Sequence, residues 1–136
     1  GCDNVGICID TGHSFYAGEN TAEAVVLAKR AGNKLFHMHF NDNHGSWDDD
    51  MIVASVHSTI YIDLLFHLKK TGYQGWLSMD QYPYREHATD AIAESVLWVR
   101  RFEEIVESNF TEIEKLIRKD DAVETSRFMR KALFGK

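Results

Sequence analysis

Ionisable side chains gather at a few places in this chain, in types and spacings that suit a divalent cation. Asp10-Thr11-Gly12-His13 sets a hard oxygen ligand three residues before an imidazole, so one metal, or two adjacent ones, could use both. His37-Met38-His39-Phe40-Asn41-Asp42 offers two imidazoles at alternate positions; in a strand both lie on the same side of the sheet, and one of them faces the site. In Asp48-Asp49-Asp50 the first and third carboxylates can point together, as oxygen ligands do when they clamp Mg²⁺ or Mn²⁺. A further run, Trp76-Leu77-Ser78-Met79, ends in Asp80. A mixed oxygen and nitrogen set of this kind accepts Mg²⁺, Mn²⁺, Co²⁺ or Zn²⁺ with modest preference, and supplies Lewis-acid chemistry.

Each of these residues also has an ordinary use. An Asp after a strand is most often a helix N-cap or turn residue, a single strand His is usually a satisfied core histidine, and an acidic run is usually a solvated loop. Coincidence favours the metal: independent caps would not be expected to place Asp, His and Asp at successive strand ends. His44, His57, His67 and His87 lack that support and are read as surface, helix or outer-sphere residues. Trp47, Tyr82 and Tyr84 are loop aromatics that could wall a site or simply pack.

The elements that must position these groups follow from the apolar pattern. Residues 5–10, 34–40 and 75–80 are apolar runs of strand length, each with a polar or ionisable residue at or next to its end. Between the first two, residues 20–31 carry Ala22, Val25, Val26 and Ala28 at helical spacing before Gly32. After a polar loop over 41–50, residues 60–71 repeat the pattern with Ile60, Leu64, Leu65 and Leu68 before Gly72. A loop over 81–87 surrounds the single proline, Pro83, and residues 88–106 form a long helix with Ile92, Val96, Val99 and Ile105 inward. Residues 111–134 read as one or two terminal helices. Alternating strands and helices imply a parallel sheet, whose ligands bind at the carboxyl ends of the strands.

Bulk properties agree with small-molecule chemistry. A chain of 136 residues with 44% hydrophobic content can bury a real core, and no linker or low-complexity stretch divides it. The net charge of −6 argues against nucleic-acid and anionic-membrane surfaces, which need basic patches. No apolar run reaches membrane-span length and no signal segment opens the chain, so neither a membrane nor a secretory route is expected. Only Cys2 and Cys8 occur, too close along one strand to pair usefully, and a cytoplasmic location is the simpler expectation.

Four motifs in order, Ile9-Asp10-Thr11-Gly12-His13, His37-Met38-His39-Phe40-Asn41-Asp42, Trp47-Asp48-Asp49-Asp50 and Asp80-Gln81-Tyr82-Pro83-Tyr84-Arg85-Glu86, resemble the last three βα units of xylose isomerase-like TIM-barrel proteins. The similarity is nearest the L-rhamnose isomerase and sugar epimerase branch. It covers about residues 4–106, with weaker likeness in terminal helices over about 107–134, and makes residues 1–136 one partial (β/α)₈ barrel domain. The resemblance implies a first metal on Asp10, His39 and Asp80, joined by a Glu from an earlier strand, and a second on His13, Asp48 and Asp50. It also implies catalytic roles for Asp80, His13 and Asp48, with Mn²⁺ as the first expectation and Mg²⁺, Co²⁺ or Zn²⁺ as substitutes. The implied reaction moves hydrogen between C1 and C2 of a sugar, or across C3 in an epimerase, on a cation that stabilises the alkoxide or enediolate. Epimerases of this kind carry Glu at the third strand end where this chain has Asp80, a departure that favours the isomerase-like branch.

The family barrel has eight strands, and this chain offers only what resemble the sixth to the eighth, with no candidate for the Glu-bearing strand. Two open edges and an uncovered inner face call for a partner. A truncated reading frame, a separate chain supplying the missing half, and self-association are the choices, and self-association is favoured because nothing in the sequence specifies a different partner. Whether the isolated chain is an enzyme is therefore open. The alternatives to a sugar isomerase or epimerase are a non-catalytic truncated barrel that binds metal and self-associates, and, less favoured on charge, an abasic-site endonuclease-like metal phosphodiesterase.

Overall fold

The computed structural model describes residues 2–135. Strands β1 (Ile7–Asp10), β2 (Leu35–Phe40) and β3 (Leu77–Met79) form a parallel sheet in the order β1-β2-β3. All three lie inside the expected runs. Each is shorter because the run's first residues lead in without full pairing, as where the Ile7 N–H donates to the Lys34 carbonyl at 2.8 Å. Beyond β3 the pairing continues for one bond, from the Asp80 N–H to the Phe40 carbonyl at 3.1 Å.

Helix α2 (Thr21–Arg30) joins β1 to β2 and helix α3 (Ser58–Thr71) joins β2 to β3, so the βα alternation read from the sequence is the architecture. Asn20 caps α2 by accepting the Glu23 N–H at 3.0 Å. Gly72 ends α3 at φ 71°, a conformation that costs glycine nothing. Helix α1 (Thr11–Ala17) was not expected: Gly12 and His13, read as loop, are its second and third residues. Helix α4 (Ala88–Lys119) runs thirteen residues past the expected end at 106. Asn109 leaves helical geometry at φ −126° and donates its side-chain amide to the Ile105 carbonyl at 2.8 Å, so the chain kinks without stopping. Helix α5 (Ala122–Phe134) follows, capped by Asp121 on the Val123 and Glu124 N–H groups.

One face of the sheet packs against the helices. Ile9, Met38 and Phe40 meet Val25, Leu64, Phe102 and Val106 in a continuous core, with Tyr61 and Phe66 fully buried on α3. Burying each such side chain contributes roughly 1.5–3 kcal/mol. The inward stripe of α4 is rotated from the expected one. Ala91, Ser95, Val99, Phe102 and Val106 are buried, whereas Ile92 and Val96 are half-buried, and the Ser95 hydroxyl accepts the Val53 N–H at 3.1 Å. On α3, Ile60 faces outward and Tyr61 inward. The other face of the sheet is polar where it nears the carboxyl ends, because alternation puts Asp10, His37, His39 and Ser78 there. Along the β1 edge Val5, Ile7, Tyr16 and Leu27 are exposed. Among the described residues no helix is long and apolar enough to cross a membrane.

Candidate metal centre

Register brings the first group together. Asp10 on β1 pairs with His39 on β2, His39 pairs with Ser78 on β3, and Asp80 lies just beyond. The His39 Nδ1 is 2.8 Å from an Asp80 carboxylate oxygen and 3.5 Å from one of Asp10. One ligand atom from each of the three lies within 4.8 Å of the others, a spacing that could hold a metal ion. Between the two strand histidines, His39 is the one on the carboxylates. His37 sits one layer below, its Nε2 hydrogen-bonded to the Ser78 hydroxyl at 2.9 Å and its ring edge-on to His39 at 5.1 Å.

A second group forms beside it and shares Asp10. The other Asp10 oxygen accepts the His13 N–H at 3.0 Å, so this carboxylate caps α1 and still faces His39. Helix α1 thereby swings His13 over the sheet edge, where its Nε2 meets the Asp48 Oδ2 at 2.8 Å. Asp10, His13 and Asp48 also present ligand atoms within 4.8 Å of one another. Asp50 falls in neither group; it is tied to the cluster by the Asn41 amide, which donates to Asp50 at 3.3 Å and to the two oxygens of Asp10 at 3.3 and 3.5 Å.

The cluster is negatively charged. Asp10, Asp48 and Asp80 find their ion-pair partners among imidazoles, His13 and His39. Partial burial, then the charges of Asp48, Asp80 and Asp10, push the Asp50 carboxyl up to about 6. The same field raises the His13 imidazole, with Asp10 the largest cause, and burial together with Asp10 and Asp80 raises the Cys8 thiol. The Asp48 Oδ1 is buried with no hydrogen-bond donor. Crowded carboxylates, one with an orphaned oxygen, and imidazoles able to coordinate when neutral form a donor set that fits a hard or borderline divalent cation.

Three consecutive polar residues that sequence reasoning left without a role, Asn41, Asp42 and Asn43, are all fully buried behind the cluster. Thr11 and Asn41 bond reciprocally, the Thr11 hydroxyl donating to the Asn41 carbonyl at 2.7 Å and accepting its N–H at 2.9 Å, and the Tyr61 hydroxyl donates to the same carbonyl. Asn43 donates to the Gly12 carbonyl at 2.7 Å. Gly12 has to be glycine: a Cβ there would collide with the Asn41 Oδ1 and stand 3.0 Å from the Asp48 Oδ1. The signal for this layer was a run of polar residues immediately after an apolar strand, which by sequence alone is indistinguishable from a solvated loop. Trp47, Tyr82 and Tyr84 are exposed, with Tyr82 and Tyr84 edge-to-face at 5.1 Å on the loop after β3. His67 pairs with Asp63 on its own helix, His87 pairs with Asp90 from the position just before α4, and the His44 N–H donates to Asp49.

A parallel βα sheet with Asp and His side chains gathered at the carboxyl ends of its strands has the arrangement in which TIM barrels build their sites. The chain belongs to the xylose isomerase-like TIM barrel family, which matches residues 1–102. It is 33% identical to an uncharacterized protein of Methanocaldococcus jannaschii over 113 residues, covering 83% of this chain and 36% of that protein. Its fold is similar to the crystal structure of a D-tagatose 3-epimerase-like protein, with a TM-score of 0.67, 27% identity, and coverage of 80% of this chain and 38% of that one. The chain thus spans little more than a third of the length of either protein. It contains three βα units of a barrel of this type.

Proposed function

We propose that this chain contributes metal-binding strand ends to a divalent-metal-dependent sugar isomerase or epimerase. The observation that carries the reading is the in-register row at the sheet's carboxyl end, where Asp10, His39 and Asp80 converge and Asp10 is shared with His13 and Asp48. In this reading Asp10, His39 and Asp80 hold one ion, Mn²⁺ by first preference, and His13 and Asp48, with Asp50 alongside, hold a second. A cation held by these residues would supply positive charge that lowers the energy of negative charge developing on a sugar substrate. The chain's own residues orient and exchange protons around that centre. When it holds no ion, His13, paired with Asp48 and exposed, can reach a substrate hydroxyl and carry its proton, and half-exposed Asp80 can accept one through its non-coordinating oxygen. Likeness to an epimerase-like protein supports a small carbohydrate as substrate.

The remaining barrel wall has to exclude water and position the substrate. We assign that wall to further copies of this chain or to a missing N-terminal half-barrel, packed on the exposed apolar residues beside β1, Val5, Ile7 and Leu27. Free, exposed Cys2 and Cys8 suit a reducing cytoplasmic setting. Light scattering of the purified chain, with metal content measured on the same peak and a screen of aldoses and ketoses on that fraction, tests the reading. A discrete metal-loaded oligomer that interconverts an aldose with a ketose, or two ketoses, is expected. A metal-free peak without turnover would contradict the assignment.

A further inference from the structure

One histidine–aspartate pair stands apart from the cluster and is used by neither ligand group. Asp42 is fully buried just past β2, and its carboxylate accepts four hydrogen bonds. The Asn43 N–H at 2.8 Å and the His57 Nδ1 at 2.6 Å reach Oδ1, and the Val56 and His57 N–H groups at 2.8 and 2.9 Å reach Oδ2. The Asp42 backbone also pairs antiparallel with Met51. A single residue therefore grips the start, the middle and the end of the segment between β2 and α3, which carries Asp48 and Asp50. That segment has little regular structure of its own, and Asp50 and Ala54 hold positive φ of 48° and 69°. Without an external tie its backbone would gain freedom on release.

The imidazole of His57 has a second contact. Its face stacks on Phe15 at 4.2 Å, and Phe15 lies two residues after His13 on α1. The Asp42–His57 pair thus touches both carriers of the second ligand group, the loop bearing Asp48 and the helix bearing His13. We propose that Asp42 and His57 are positioning residues that set the spacing between His13 and Asp48, and through it the affinity of the second metal site. The functional half rests on the metal reading above; the mechanical half, that the pair holds the loop shut, does not.

The full-length chain tests both halves with His57→Ala and His57→Asn. The side-chain amide of the asparagine variant can take the place of Nδ1 towards Asp42 but cannot stack on Phe15. Amide hydrogen exchange over residues 43–56 is expected to quicken about tenfold in the alanine variant while the β2 amides keep their protection. Mn²⁺ affinity, read from the free-ion electron paramagnetic resonance signal, is expected to fall about tenfold, the usual cost of losing an outer-sphere support. The asparagine variant is expected to restore the loop's protection and to recover Mn²⁺ affinity only in part, because the Phe15 stack is missing. Uniform quickening that includes β2, an unchanged loop, or no rescue by asparagine would overturn the pair as a positioning device. Loop opening with unaltered Mn²⁺ affinity would overturn its link to the site. A wild-type chain that takes up no Mn²⁺ at all would instead sink the metal reading, and the latch would then stand or fall on hydrogen exchange alone.

Discussion

Two kinds of histidine–aspartate pair lie close together in this molecule. His57–Asp42 is closed: the carboxylate is fully buried and every donor around it is directed at it. His13–Asp48 and His39–Asp80 are open: both imidazoles and both carboxylates reach solvent, and Asp48 keeps a buried oxygen without a donor. The chemistry of the side chains is the same, so the difference lies in what surrounds them. A closed pair holds backbone, and breaking it leaves buried polar groups without their partners. An open pair contributes little to stability, because solvent screens it, and keeps lone pairs free for a ligand.

The comparison makes quantitative demands. Asp42→Ala is expected to destabilise the fold by about 3–5 kcal/mol in chemical denaturation, since it leaves the N–H groups of Asn43, Val56 and His57 without their acceptor, each at about 1–3 kcal/mol; a loss under about 1 kcal/mol would erase the contrast with the open pairs. Gly12→Ala should cost about 1–3 kcal/mol by pushing Asn41 and Asp48 off a Cβ that has no room, and it should weaken Mn²⁺ binding as well. Tyr61→Phe removes one hydroxyl from the Asn41 carbonyl and should cost about 1 kcal/mol with metal affinity retained. His13→Ala, by contrast, is expected to alter stability by less than about 1 kcal/mol while lowering Mn²⁺ uptake.

The acidity of Asp50 adds a pH dependence confined to the open cluster. Its folded-state carboxyl is raised to about 6 by burial first and by neighbouring carboxylates next, so the folded chain holds that proton more tightly than the unfolded one. The stabilising contribution is complete below the ordinary value of 3.8 and is lost as pH rises through about 6. Denaturation of Asp50→Asn should lack that decline, and millimolar Mg²⁺ or Mn²⁺ should offset it in the wild type by neutralising the cluster.

The acidic and imidazole strand ends were legible in the sequence because apolar runs of strand length carry Asp10, His39 and Asp80 at or next to their ends, and alternation fixed their side of the sheet. The layer behind them was not. Asn41, Asp42 and Asn43 are buried, yet a sequence marks burial only through apolar residues, so three polar ones in a row read as loop. Helix α1 escaped notice because seven residues are too few for a periodic stripe and Gly12 is a weak helix former; its signal was the cap, Asp10, which serves as cap and candidate ligand together. The kink at Asn109 hid the continuity of α4, since an Asn amid polar residues resembles a helix end.

Asp10 is the residue on which both ligand groups depend, so Asp10→Asn is the most direct test of the central claim. Asparagine keeps the α1 cap while removing the shared charge. Mn²⁺ titration followed by electron paramagnetic resonance is predicted to show uptake by the wild type and a loss of at least about tenfold in affinity in the variant, with thermal unfolding little changed. Equal Mn²⁺ affinity in the two proteins would contradict it.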